Sequence, residues 1–191
     1  MKKKLFISVV AVALVACFAI GGTLAWLTDT TDPVTNTFTV GDINITLDES
    51  TGDDYKVIPG TSLAKDPTVT VEANSEKCWL FVKVQEENWQ KGISYAMADD
   101  WVKVSGTDNV YYYTEPVETN TSAQEFQVLK GNTDFPDGVV SFDGSLTKDD
   151  LEKIEAQTPK LIFTAYAVQY MKDNKTSFTA EEAWAEVAPQ S

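Results

Sequence analysis

The chain has 191 residues, with 29 acidic against 15 basic side chains and a formal net charge of −14. Every basic residue is Lys; there is no Arg and no His. That inventory argues against nucleic acid as a partner, because nucleic acid recognition leans on basic, usually Arg-bearing patches. It also excludes imidazole chemistry, including His-based triads and the HExxH zinc site.

The N-terminus is built as an export signal. Lys2, Lys3 and Lys4 form a positive start, Leu5 to Ile20 is apolar except for Ser8 and Cys17, and Gly21-Gly22 weakens any helix before Thr23-Leu24-Ala25. Small residues at 23 and 25 predict cleavage after Ala25, with the mature chain beginning at Trp26. Two alternatives stay open. Leu5 to Leu27 is long enough to remain as an anchor, since about 20 residues span a bilayer. Leu14-Val15-Ala16-Cys17 also fits a lipidation box at Cys17, although the residues after it, Phe18-Ala19-Ile20, stay apolar. Cleavage gives a signal at 1–25, an extended arm at 26–37 and one β-sandwich domain at 38–191, in contact with the membrane only before processing.

Beyond Pro33 the dominant period is two. Phe38 and Val40 alternate with polar residues, and Ile43, Ile45 and Leu47 do so in the opposite phase, which predicts a bulge or turn at Gly41-Asp42. Val69 and Val71 alternate with threonines. Leu80, Val82 and Val84 alternate with Trp79, Phe81 and Lys83. Further strands are predicted around Trp101–Val104, Val110–Tyr113, Phe126–Leu129 and Val139–Phe142. Leu161 to Met171 is apolar on both faces and predicts a central buried strand. Turn signals such as Pro59-Gly60, Asn74-Ser75 and Gly106-Thr107-Asp108-Asn109 separate these runs as in an all-β sandwich. Thr147 and Thr179 are predicted to cap two short helices through capping boxes with Asp150 and Glu182.

Little in the sequence points to catalysis. Ser62-Leu63-Ala64-Lys65 has the SxxK spacing of an acyl-transfer pair, but its setting reads as a loop and its partner motifs are missing. The acidic pairs Asp53-Asp54, Asp99-Asp100 and Asp149-Asp150 lie in polar turns or at a helix start, where solvated charge is the ordinary role. After cleavage Cys78 is the remaining Cys, so no internal disulfide forms; its apolar neighbours predict a buried thiol, with an intermolecular bridge as the alternative. Tyr111 and Tyr113 share one face of a strand and Tyr112 takes the other; core packing is the simpler role for these and for the scattered Trp residues than a sugar platform. No catalytic residue, metal ligand or cofactor site is expected, and the chain is not expected to be an enzyme.

Gly21-Gly22-Thr23-Leu24-Ala25-Trp26, followed by Asn36-Thr37-Phe38 and an alternating strand, resembles the signal and first strand of the TasA/camelysin family. The likeness continues at Ile58-Pro59-Gly60, at Trp79–Val84, and at Ala165-Tyr166-Ala167-Val168-Gln169 with Glu181-Glu182-Ala183-Trp184. The resemblance implies an exported protein of a Gram-positive cell, released by a SipW-type signal peptidase, with a jelly-roll-like antiparallel β-sandwich. It further implies a self-assembling fibre subunit of the biofilm matrix or cell surface. Polymerisation would then proceed by donor-strand exchange, with Trp26, Leu27, Thr28, Asp29, Thr30 and Thr31 inserting into the next copy. The alternative is a monomeric cell-surface module that binds a glycan or host protein, lipid-anchored if Cys17 is modified.

Overall fold

The computed structural model describes residues 42–51 and 56–188. In chain order they form β1 (Ile45–Asp48), β2 (Ser62–Ala64), β3 (Thr68–Val71), β4 (Cys78–Glu87), β5 (Ile93–Tyr95), β6 (Trp101–Lys103), β7 (Val110–Tyr113), β8 (Gln124–Gln127), β9 (Val139–Phe142), α1 (Lys148–Gln157), β10 (Lys160–Gln169) and α2 (Ala180–Val187). The chain is all-β with two short helices among the described residues, as its alternating pattern predicts, and every strand pairing is antiparallel.

Two sheets make the sandwich. One has the order β1-β3-β8 and the other β10-β4-β7-β6. Between them lie Val69 and Val71 of β3, Leu80, Val82 and Val84 of β4, and Phe126 of β8, with Trp101 closing one side. Alternation puts the odd residues of β4 on the opposite face. There Phe81 meets Trp184 of α2 at 5.5 Å between ring centroids, and Tyr166 of β10 meets the same indole edge-on at 5.3 Å. The second helix therefore roofs the outer face of the larger sheet. Its start is fixed by Thr179, whose side chain accepts from the Glu182 N–H while Glu182 accepts from the Thr179 N–H. Thr147 and Asp150 do the same for α1. Both capping boxes were legible in the sequence.

A third sheet, β2-β9-β5, sits at one end with α1. Its core is Ile93, Leu129, Val140, Phe142 and Ile154, against which Leu161 and Phe163 of β10 also pack. Gly138 extends the β2–β9 pairing by one step. Its carbonyl accepts from the Lys65 N–H at 3.0 Å, and its φ of 136° belongs to Gly. A Cβ there would sit 2.1 Å from the Lys65 carbonyl oxygen.

Three expectations need correction. Ser62–Ala64 is a strand, paired with Val139–Ser141, and not a loop. The strand expected at Phe126–Leu129 begins earlier, at Gln124, and ends at Gln127, because Leu129 leaves the ladder for an isolated bridge to Met97. The largest difference is β10. Among the described residues it is not central: it lies at the edge of its sheet, bonded to β4 on one side. Its sequence looks central because both faces are covered, one by the sandwich core and the other by α2 near Tyr166 and Val168. Periodicity reports faces and says nothing of edges.

Candidate functional site

The predicted cleavage site at Ala25 and Trp26, the donor residues Trp26, Leu27, Thr28, Asp29, Thr30 and Thr31, and Cys17 all lie outside the described residues. So do Phe38, Val40, Gly41 and the pair Asp53-Asp54. The site that the described residues build is the edge they leave open.

Tyr170 donates its N–H to the Lys77 carbonyl at 2.8 Å, in register with the ladder that pairs Thr164 with Lys83 and Ile162 with Gln85. Val84 donates instead to Asn109, on the β7 side of β4. Backbone groups alternate from side to side along a strand. Ile162, Thr164, Tyr166 and Val168 therefore bond to β4, whereas Leu161, Phe163, Ala165 and Ala167 turn their N–H and C=O groups to the free side. These four also place their side chains against the sandwich core. One set of residues thus offers both an unpaired backbone and half-buried apolar side chains.

The smaller sheet repeats the arrangement. Asn44 accepts from the Glu72 N–H at 2.9 Å, so Asn44, Thr46 and Asp48 face β3, and Ile45 and Leu47 face away. β1 lies beside β10, yet no ladder joins them. Among the described residues, this side of the sandwich is a seam between two free edges. The other sandwich edges are short: β6 has three residues and ends in Lys103, and β8 is the polar tetrapeptide Gln-Glu-Phe-Gln. Short and charged edges resist pairing. By contrast, β10 runs ten residues and carries no charge after Lys160.

At the start of β10 lies an apolar cleft of about 940 Å³. Its walls come from Val57 and Ile58, from Leu63 of β2, from Trp89, from Leu151 and Ile154 of α1, and from Leu161 and Ile162. Among the described residues, Lys56, Lys65 and Lys160 line it against a single acid, Glu155. Lys65 is ion-paired to Glu49. Ile58 is 55% exposed, unusual for so apolar a side chain. Sequence reasoning missed this cleft. Its only signals were an Ile directly before Pro59-Gly60 and the uncharged run after Lys160.

The other candidates disperse. Ser62 shares a hydrogen bond of 2.8 Å with Ser141, and Lys65, three residues on and hence on the other face of the chain, is committed to Glu49. Asp150 completes the capping box of α1 by accepting from the Thr147 N–H, and Asp99 pairs with Lys130 at 2.6 Å. Cys78 is fully buried, and burial pushes its thiol up to about 11, so an intermolecular bridge has no access to it. Tyr111 and Tyr113 face the sandwich core and Tyr112 the α2 side, as alternation predicts. Trp79 and Trp101 donate to the Phe178 and Gln127 carbonyls at 2.8 and 2.7 Å. Both serve packing and not a sugar platform.

Residues 1–76 match the family model described as camelysin metallo-endopeptidase. No curated protein and no solved structure matches the chain. The family's description implies a metal. Catalytic zinc is held chiefly by His, with Asp, Glu or Cys. This chain has no His. Cys78 is buried as a neutral thiol, and no three Cys, Asp or Glu residues among those described lie close enough to hold an ion. The described residues do not fit such a metal.

Proposed function

From the premise that the chain is a member of the TasA/camelysin family, matched over residues 1–76, we propose that it is an exported structural subunit of extracellular or cell-surface fibres in a Gram-positive biofilm matrix. A SipW-type signal peptidase cuts after Ala25, and the freed segment Trp26-Leu27-Thr28-Asp29-Thr30-Thr31 joins the sheet of the next copy. The observation that carries this is the edge of β10 that the described residues leave free, where Leu161, Phe163, Ala165 and Ala167 have no backbone partner among those residues and place half-buried apolar side chains beside it. A strand added there satisfies the backbone and covers the core in one step. Six extended residues reach about 20 Å along a ten-residue strand of about 33 Å. The chain's role is non-enzymatic: the peptidase activity in the family's description has no ordinary ligands here.

The test is the exported protein with and without residues 26–32. The intact form is expected to have a mass that begins at Trp26 and to form fibres as concentration rises. The shortened form is expected to keep its circular dichroism and melting temperature and to stay monomeric. Fibres that survive the deletion would rule out strand donation by this segment. A monomer at every concentration, with tryptophan fluorescence that responds to a glycan or host protein, would favour a binding module instead.

A further inference from the structure

We infer that the apolar cleft at the head of β10 is the anchor pocket for the first two residues, Trp26 and Leu27, of a second copy of this chain. The inference rests on the strand-donation reading above and adds to it a direction and an end point. Leu161 and Ile162 belong to both the free edge and the cleft wall, so a strand laid along β10 leads into the cleft without a gap. The cleft's apolar walls suit an indole and an isobutyl group, and Ile58 is left half uncovered.

Charge selects the same occupant. The cleaved chain loses the three lysines of the signal and carries 12 basic against 29 acidic side chains, a net charge of −17, so it repels its own copies and contact is favoured where basic groups gather. Lys56 and Lys160 stand at this cleft, and Lys160 is only loosely held by Glu87, at 3.9 Å with both side chains largely exposed. Apart from the α-ammonium that cleavage creates on Trp26, the segment from Trp26 to Asp32 carries Asp29 and Asp32 and no basic side chain. With Trp26 seated in the cleft, Asp29 lies three residues along the strand, about 10 Å away, and so stands outside the apolar walls. The donated strand therefore runs with its N-terminus at the Lys160 end of β10.

The test is a crosslinking pair in the exported protein. One preparation carries Leu27→Cys and the other Ile58→Cys, an exposed position whose change spares the core; buried Cys78 supplies the background, measured in the unsubstituted protein. Mixed under mild oxidation, the two are expected to give a heterodimer at least tenfold above the yield with Val102→Cys, on the far edge of the sheet. Adding Lys56→Glu and Lys160→Glu is expected to cut that yield several-fold, and Asp29→Lys in the other preparation to restore it. A link from Leu27→Cys to Gln169→Cys instead would overturn the anchor and its direction while leaving strand donation intact. A link that forms only within one chain carrying both Leu27→Cys and Ile58→Cys would overturn the second copy as occupant. Absence of either link in preparations that still form fibres would overturn the anchor pocket alone. Absence of links and of fibres together would overturn both readings.

Discussion

Thr164 sits opposite Lys83 in the ladder between β4 and β10, and that single pairing decides which way each neighbouring peptide points. With Thr164 bonded inward, the Ala165 N–H faces the open side. The two adjacent positions are therefore expected to respond oppositely to proline. Ala165→Pro removes a donor that β4 does not use, a change that edge strands tolerate; the melting temperature is expected to move little and fibre formation to fail. Thr164→Pro removes a ladder bond and leaves its partner unsatisfied, at about 1–3 kcal/mol before any ring clash. It is expected to unfold the protein at markedly lower denaturant. Thermal melts and electron microscopy of the two variants side by side check the contrast.

The alternation that makes this prediction possible was readable from the sequence in some places and hidden in others. Leu80, Val82 and Val84 on one face, with Phe81 on the other, follow from period two alone, and Thr147 and Thr179 announce both helices through their capping partners. The position of β10 in its sheet does not follow. Leu161–Gln169 is covered on both faces, and a strand's lateral neighbours leave no mark on its hydropathy. The cleft was hidden for a related reason: Ile58, Trp89, Leu151 and Leu161 are far apart in sequence and meet only when the third sheet and α1 pack together. β2 was missed because three residues give no period to detect.

The roof formed by α2 is expected to matter for stability and not for the assembly edge. Trp184 is 7% exposed and touches both Phe81 and Tyr166. Trp184→Ala is expected to cost about 3–5 kcal/mol through the cavity it leaves. Thr179→Ala removes one capping bond and is expected to cost about 1 kcal/mol. Chemical denaturation of both variants measures these losses directly, and Thr179→Ala is expected still to assemble.

Cys78 is expected to resist thiol reagents in the folded protein at pH 8. Its side chain has no exposure, and its pKa of about 11 leaves little thiolate at that pH. Mass spectrometry after alkylation is expected to find it unmodified until denaturant is added. Rapid labelling of the native protein would show that the β4 end opens far more readily than its packing implies.

Acid and salt are expected to act on different properties. Burial pushes Asp66 upward, but hydrogen bonds from Ser50 and Thr51 outweigh it and hold its pKa below the ordinary 3.8. Hydrogen bonds also lower Asp143, Asp150 and Asp173, chiefly from Ser145, Thr147 and Lys175 in turn. Glu182 is lowered from 4.5, first by Lys172 and then by the Thr179 N–H. Each group is ionised more readily when folded. Its contribution is therefore complete above the unfolded values and is lost as pH falls through the lower folded ones. Thermal melts are expected to be flat from pH 8 to 5 and to fall below about pH 4. Fibre formation, opposed by the cleaved chain's net charge of −17 (12 basic against 29 acidic side chains once the signal's three lysines are removed), is expected to quicken as added salt screens that repulsion, with no matching change in melting temperature.

Amide hydrogen exchange on β10 is the most direct measurement of strand donation at this edge. In dilute monomer, Leu161, Phe163, Ala165 and Ala167 are expected to exchange quickly while Thr164 and Tyr166, bonded to β4, stay protected. In fibres the first set is expected to become protected as well, and in the protein lacking residues 26–32 it is expected to remain fast at every concentration. If those four amides are already protected in the monomer, or still exchange quickly in fibres, β10 is not the edge on which the subunits join.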